Sequence, residues 1–170
     1  IKTSIDVVSE EGDRYKTVVT PCLAYCDYFI VNEIEAGNVA GLDVRDKKGN
    51  LSIQNLRLVC EKLLSYGVRE LVAIHMPELG CAMNAGGTFC TAASYELAKG
   101  YIKGTVGAGD AFCAGMLYAL YHDWDMDRAL RFANASAACC LGHENSIDGM
   151  RPLREIEEFQ STLNTKKGII

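Results

Sequence analysis

The 170-residue sequence lacks several features that would mark a protein class at once. It has no apolar stretch of the length that a membrane span requires. Its net charge of −5 and pI near 5.2 provide no basic surface for nucleic acid. No signal peptide is visible. These absences argue against a membrane-spanning or nucleic-acid-binding protein, and the cysteine usage described next favours a cytoplasmic one.

The cysteines and histidines lack the spacing of a metal site or a disulfide framework. No Cys-x-x-Cys pair occurs, and the three histidines are scattered along the chain. Most of the eight cysteines lie within apolar runs, where a free thiol behaves as a small hydrophobic side chain. We therefore predict buried free thiols in a reducing cytosol. The cysteines are Cys22, Cys26, Cys60, Cys81, Cys90, Cys113, Cys139 and Cys140.

Two common phosphate-binding patterns are also absent. The sequence has no G-x-x-x-x-G-K-[ST] loop, and G-x-G-x-x-G fails because Phe112 stands at its third glycine. What remains is residues 104–115, in which two glycines and an alanine precede Asp110 and an apolar run follows. That order predicts a turn whose backbone N–H groups open a helix and hold an anion. Because a carboxylate repels phosphate, Asp110 is expected to serve chemistry rather than binding.

Periodicity predicts alternating strands and helices, and hence an α/β protein with a mostly parallel sheet. The expected strands are residues 2–9, 28–31 and 71–74, with a polar turn at 10–13. A hairpin is expected over residues 81–94. The first predicted helix covers residues 14–26, with a break or restart at Pro21, and the second runs from the N-cap Ser52 to Gly67. Two buried helices are predicted at residues 111–121 and 129–141, and a last helix is predicted from Pro152.

Three motifs together resemble the ribokinase-like (PfkB) carbohydrate kinases. The longest reads closely like the second signature of that family, Thr105-Val106-Gly107-Ala108-Gly109-Asp110-Ala111-Phe112-x-Ala114-Gly115. Asn32-Glu33-Ile34-Glu35-Ala36 resembles its N-x-x-E motif, and Phe132-Ala133-Asn134-Ala135 resembles its alanine-rich helix beside the nucleotide base. The resemblance covers nearly the whole chain, but only the second half of a typical member.

The resemblance implies a ribokinase-like, three-layer α/β/α fold with a mostly parallel sheet. Residues 1–170 would be the C-terminal, ATP-binding and catalytic portion of a larger domain, whose N-terminal sugar-binding half and lid lie outside this chain. The implied reaction is phosphoryl transfer from ATP to a hydroxymethyl group of a sugar or sugar-like small molecule. The resemblance also allows a homodimer.

The resemblance further implies a role for each motif residue. Asp110 would be the general base, and Gly107, Ala108 and Gly109 would form an anion hole. Asn32 and Glu35 would act through Mg²⁺, with Glu35 holding a metal-bound water rather than the ion. Asn134 would lie at the nucleotide.

Two departures from the family pattern are visible. Gly104 stands where the family usually has an acidic residue that helps bind a monovalent cation, which argues against activation by such a cation. Residues 75–80 stand where the family often has a threonine or lysine and a glycine. Pro77 lacks an N–H and Glu78 adds negative charge, so nucleotide contacts there are expected to differ.

Each assignment has an alternative. The glycine segment could be an ordinary strand-to-helix turn with Asp110 as a first-turn acid, Asn32 and Glu35 could only begin a helix, and Asn134 could be a buried core amide. At the level of function, the alternatives are a non-catalytic nucleotide- or sugar-binding module that retains the kinase fold and a dinucleotide-dependent oxidoreductase.

Overall fold

The computed structural model describes residues 1–8 and 14–168. These residues form two compact units. The first contains Ile1–Met76 and Cys81–Cys90, and the second contains Pro77–Gly80 and the chain from Thr91 onward. One five-stranded sheet has the order β1-β2-β3-β4-β5, so neighbours in sequence are neighbours in the sheet.

The first unit contains the parallel strands β1 (Ser4–Ile5), β2 (Tyr28–Asn32) and β3 (Leu71–His75). The apolar residues of β2 and β3 are buried, as expected for strands covered on both faces. β1 is much shorter than the predicted strand: among residues 2–8, only Ser4 and Ile5 pair with β2, and their neighbours are largely exposed. The predicted turn at residues 10–13, and Ser9, lie outside the described residues.

The helices of the first unit follow their sequence signals. The segment predicted at residues 14–26 is helical but consists of three short pieces: a π-helical stretch (Tyr15–Val19), α1 (Thr20–Cys22) and a 3₁₀ turn (Leu23–Tyr25). Pro21 lies in the first turn of α1, where its missing N–H costs nothing. The two longer helices are α2 (Glu33–Ala40) and α3 (Ile53–Ser65).

α3 begins and ends where the sequence predicts. The Ser52 hydroxyl accepts the Asn55 N–H at 3.2 Å, which confirms its capping role. Leu56, Val59 and Leu63 are buried on one face of the helix. Gly67, with φ of 108°, follows the last turn in a conformation that favours glycine.

The predicted hairpin consists of β4 (Leu79–Asn84) and β5 (Phe89–Ala93), each of which contributes residues to both units. The Asn84 carbonyl accepts the Gly87 N–H at 2.9 Å, and the Asn84 side chain accepts the Thr88 N–H at 3.0 Å. This pattern confirms the turn at Asn84 to Gly87. β4 begins two residues before the predicted start.

The second unit contains α4 (Ala108–Tyr121), α5 (Met126–Cys140) and α6 (Leu153–Thr162). α4 and α5 pack closely, since a Cβ on Gly115 would lie 2.9 Å from both the Ala133 Cα and the Ser136 Oγ. This contact confirms that small residues bring the two buried helices together. The core of this unit also holds Tyr95, Phe132, Ala135, Ala138, Cys139 and Ile156.

The cysteines match the prediction of buried free thiols only in part. All eight are free thiols and five are buried, but Cys90 and Cys113 are half-buried and Cys22 is exposed. In residues 1–8 and 14–168, no three histidine, cysteine or acidic side chains come together as metal ligands would. No helix among these residues has both the length and the apolar character needed to cross a membrane.

Candidate active site

The predicted anion loop, residues 104–110, leads into α4. Gly107 has φ of 81° and ψ of −4°, a left-handed conformation, and α4 starts at the next residue. The Ala111 N–H donates to the Gly107 carbonyl at 2.9 Å and so closes the first helical turn. Asp110 lies in this first turn and is exposed, while residues 107–109 are half-buried. The loop therefore places one carboxylate at the amino end of a 14-residue helix.

The N–H groups at this helix start are suited to binding an anion. The first N–H groups of any helix lack partners inside it, and the helix dipole adds partial positive charge there. The Ala108 N–H donates to the Thr105 carbonyl at 3.3 Å, a long hydrogen bond that belongs to the turn before the helix. In this conformation, Gly107 and Gly109 are better placed than Ala108 to offer donors to a ligand.

A second segment, loop 141–150, packs against the anion loop. A Cβ on Gly107 would lie 2.5 Å from the Ser146 Cβ, and a Cβ on Gly104 would lie 2.9 Å from the Glu144 carbonyl oxygen. Neither position has room for a side chain. The structure thus gives a packing reason for glycine at position 104, where the family usually has an acidic residue. Sequence reasoning missed Ser146, because no local pattern connects residues this far apart.

Asn32 and Glu35 form a capping box at the start of α2. The Asn32 amide oxygen accepts the N–H groups of Ile34 at 3.0 Å and Glu35 at 2.9 Å. In return, the Glu35 carboxylate accepts the Asn32 N–H at 3.1 Å. Glu35 is only 4% exposed. The two residues are brought together as the motif predicts, and their contacts also match the alternative that they begin a helix.

Arg45 is a neighbour of this motif that the sequence did not reveal. One guanidinium nitrogen, Nη2, lies 2.8 and 2.7 Å from the two carboxylate oxygens of Glu33. This ion pair balances the charge of Glu33, which lies between Asn32 and Glu35 in the motif. Both residues line an open cavity of about 1100 Å³. Since 12 positions separate the partners, only the folded chain shows the pair.

Asn134 is buried in the second unit, 6% exposed, on the face of α5 toward β5. Its amide nitrogen donates to the Ala92 carbonyl at 2.9 Å and lies 3.4 Å from the Ala93 carbonyl. Its amide oxygen would lie 3.1 Å from a Cβ on Gly80. These contacts are what a core amide would make, and the role at the nucleotide stays a prediction.

The carboxylate of Glu35 fits a site for Mg²⁺ bound together with a phosphate. Both Asn32 and Glu35 carry oxygen atoms, which this hard cation prefers, but the Asn32 amide oxygen already accepts two N–H groups, so Asn32 acts on the site by orienting Glu35. Proteins usually hold Mg²⁺ with only one or two carboxylates, and waters and phosphate oxygens complete the shell. A single buried carboxylate, Glu35, is therefore sufficient for the protein's share.

The family model for "pfkB family carbohydrate kinase" matches residues 3–152 of this chain. Curated relatives include the 5-dehydro-2-deoxygluconokinase of Bacillus licheniformis, which is 28% identical over 128 residues. That alignment covers 75% of this chain and 38% of the relative.

Solved structures show the same fold. The ribokinase of Arabidopsis thaliana, complexed with ribose and ATP, matches with a TM-score of 0.78 at 19% identity over 94% of this chain and 47% of its own. The 2-dehydro-3-deoxygluconokinase of Thermotoga maritima matches with a TM-score of 0.78 at 20% identity, over 95% of this chain and 51% of its own. A putative ribokinase II of Escherichia coli, in complex with ATP and Mg²⁺, matches with a TM-score of 0.68 at 21% identity, covering 86% and 43% of the two chains. The predicted ribokinase-like α/β fold is confirmed, and the chain spans about half the length of these proteins.

Proposed function

The chain belongs to the pfkB family of carbohydrate kinases, and on that premise we propose that the protein containing it transfers the terminal phosphoryl group of ATP to a hydroxymethyl group of a sugar or sugar-like substrate. Residues 1–170 supply the C-terminal, ATP-binding and catalytic portion, and a preceding sugar-binding half completes the protein. The observation that carries the proposal is the exposed carboxylate of Asp110 in the first turn of α4, directly after a glycine-built anion loop.

Asp110 is the general base in this proposal. The attacking hydroxyl must lose its proton as the phosphoryl group is transferred, and a carboxylate within hydrogen-bond reach accepts it. Gly107, Ala108 and Gly109 form the anion hole, in which backbone N–H groups stabilise the charge on the phosphoryl oxygens. A carboxylate at the same helix start does not assist phosphate binding, which is the physical reason to give Asp110 a chemical role.

Asn32 and Glu35 organise the metal and phosphate in this proposal. Mg²⁺ held there would supply positive charge that neutralises the phosphate oxygens. Glu35 would hold a metal-bound water, and its carboxylate is oriented by the hydrogen bond that it accepts from the Asn32 N–H at 3.1 Å. The Glu33–Arg45 ion pair keeps a second negative charge of the motif balanced. Asn134 lies beside the nucleotide base.

The substitution Asp110→Asn tests the assignment in the full-length protein. A general base contributes about 10²–10⁴ in rate, so we expect turnover to fall by at least that much. ATP binding should be retained or become tighter, because the neutral amide replaces a carboxylate that repels phosphate. Asp127→Asn is the matched control, since Asp127 is also a first-turn acid, on α5. Full activity of the Asp110→Asn variant would contradict the assignment.

A second candidate is a non-catalytic nucleotide- or sugar-binding module. Gly104, pressed against the Glu144 carbonyl, and Pro77, which offers no N–H to a phosphate, favour it. The two candidates differ in ADP release from ATP in the presence of sugars. A suitable panel contains 5-dehydro-2-deoxygluconate, 2-dehydro-3-deoxygluconate, ribose, fructose and a nucleoside. ATP binding without ADP release on any of them would favour the module.

A further inference from the structure

Cys140, the last residue of α5, connects two segments of the candidate site. Its side chain is buried, and its thiol sulfur lies 3.6 Å from the Val106 carbonyl oxygen in the anion loop. The same sulfur lies 3.6 Å from the Ser146 carbonyl oxygen in loop 141–150. The single thiol proton can therefore be donated to either of two backbone acceptors, one on each segment.

The surrounding contacts hold Cys140 in this position. The Lys103 N–H donates to the Leu141 carbonyl at 2.9 Å, just before the anion loop and just after the cysteine. A Cβ on Gly149 would lie 2.7 Å from the Cys140 Cα, so loop 141–150 folds back directly onto the cysteine backbone. The Asn145 side-chain oxygen accepts the Asp148 N–H at 2.8 Å and fixes the loop internally.

The thiol stays a donor at neutral pH. Burial raises the pKa of the Cys140 thiol above its ordinary value, and the negative charge of Asp110 raises it further. A thiolate at this place would face two carbonyl oxygens and the carboxylate proposed as the base. The protonated thiol, in contrast, makes favourable contacts with both carbonyls.

The anchored carbonyl belongs to the same peptide group as the N–H of Gly107. In a planar trans peptide the C=O and N–H point in opposite directions, so a bond to the Val106 oxygen sets the direction of the Gly107 N–H. Glycine has little resistance of its own to rotation of this peptide. We propose that Cys140 is a positioning residue, whose thiol keeps the Gly107 N–H directed toward the bound phosphate. The expected effect of Cys140 on catalysis rests on the proposed function, whereas its expected effect on the Val106–Gly107 peptide does not.

Three variants of the full-length protein test the inference. Cys140→Ala removes the donor, and Cys140→Ser keeps a donor with a shorter bond to Cβ. Cys139→Ala is the matched control, because it removes the neighbouring buried thiol, which lies in the core cluster of the second unit. A net hydrogen bond contributes a factor of about 2–10, so we expect kcat of Cys140→Ala to fall by that factor, with a smaller change in KM for ATP. Cys140→Ser should recover most of the loss, and Cys139→Ala should retain the wild-type kcat.

Hydrogen exchange of a peptide covering residues 104–110 supplies a readout that needs no activity. We expect faster amide exchange in Cys140→Ala than in the wild type, Cys140→Ser or Cys139→Ala. Equal exchange and equal kcat in Cys140→Ala and Cys139→Ala would overturn the inference. If Cys140→Ala does not fold, wild-type exchange in Cys140→Ser supports the inference and unprotected exchange overturns it. The wild-type protein could also lack kinase activity while residues 104–110 still exchange faster in Cys140→Ala alone. That result would overturn the proposed function and leave the positioning role intact.

Discussion

Gly107 occupies a backbone conformation that other residues adopt only at a cost. Its φ of 81° is left-handed, which costs an L-residue about 1–2 kcal/mol. A Cβ would in addition lie 2.6 Å from the Ser146 Cα and 2.7 Å from its carbonyl oxygen. We therefore expect Gly107→Ala to lower the free energy of unfolding by more than the conformational cost alone and to abolish phosphate binding. Urea unfolding and ATP titration measure the two effects.

Gly41 is the matched control for this substitution. It too is left-handed, with φ of 68°, but no described atom lies within 4 Å of a Cβ built on it. Gly41→Ala should therefore show only the conformational cost and bind ATP normally. Equal losses of stability in the two variants would contradict the close packing of Gly107 on Ser146.

Asp27 gives the first unit a dependence on pH. The Thr3 N–H donates to its carboxylate at 2.7 Å and, with the Thr3 hydroxyl and the Arg69 guanidinium, lowers the pKa of Asp27 below its ordinary value of 3.8. A carboxyl group whose pKa is lower in the folded than in the unfolded protein stabilises the fold above the unfolded pKa. That stabilisation should be lost as the pH falls from near 3.8 through the lower folded value.

Asp27→Asn should flatten this acid-side loss of stability, since the amide does not titrate. Thr3→Val keeps the backbone donor and removes the hydroxyl, so its dependence on pH should be intermediate. Urea unfolding at a series of acidic pH values compares the three proteins. An unchanged slope in Asp27→Asn would show that other groups account for the acid sensitivity.

At the scale of elements, the sequence patterns predicted the buried helices and strands well and the edge strand β1 poorly. α3, with its Ser52 cap and apolar stripe, and the turn after Asn84 follow from local chemistry alone. The first strand was predicted over residues 2–9, but of its described residues only Ser4 and Ile5 pair with β2. The apolar pattern of a strand does not show how many of its residues a neighbouring strand will pair with.

The candidate site shows the same division. The Asn32 capping box and the glycine turn before Asp110 are local, and the motifs predict both. Ser146, Cys140 and Arg45 became visible only in the fold, because each contacts a residue at least six positions away and no periodicity relates them. The sequence motifs identified the residues proposed to take part in the reaction, but they did not reveal the residues that pack against them or pair with their neighbours.

Substitutions in the capping box at α2 can distinguish a structural role of Asn32 and Glu35 from a role in catalysis. Asn32→Ala should lower the free energy of unfolding by about 0.5–2 kcal/mol, since it removes an N-cap acceptor. Glu35→Gln keeps an oxygen that can accept the Asn32 N–H and removes the negative charge. We therefore expect Glu35→Gln to melt near the wild-type temperature while turnover falls and the Mg²⁺ concentration needed for half-maximal rate rises. Wild-type Mg²⁺ dependence in Glu35→Gln would contradict the metal role and leave only the cap.

At the scale of the whole molecule, the chain spans about half of the solved kinases that share its fold. We expect the purified 170-residue chain to fold without phosphorylating sugars on its own. Holding the hydroxyl against the base and the phosphoryl group supplies an effective molarity of about 10⁵–10⁸ M, and a catalytic half without the sugar-binding half loses it. An ADP-release assay over the sugar panel compares the chain with the full-length protein, and circular dichroism shows that each is folded. Sugar-dependent turnover by the 170-residue chain at a rate near that of the full-length protein would place the sugar site within this chain and overturn the proposed division of labour.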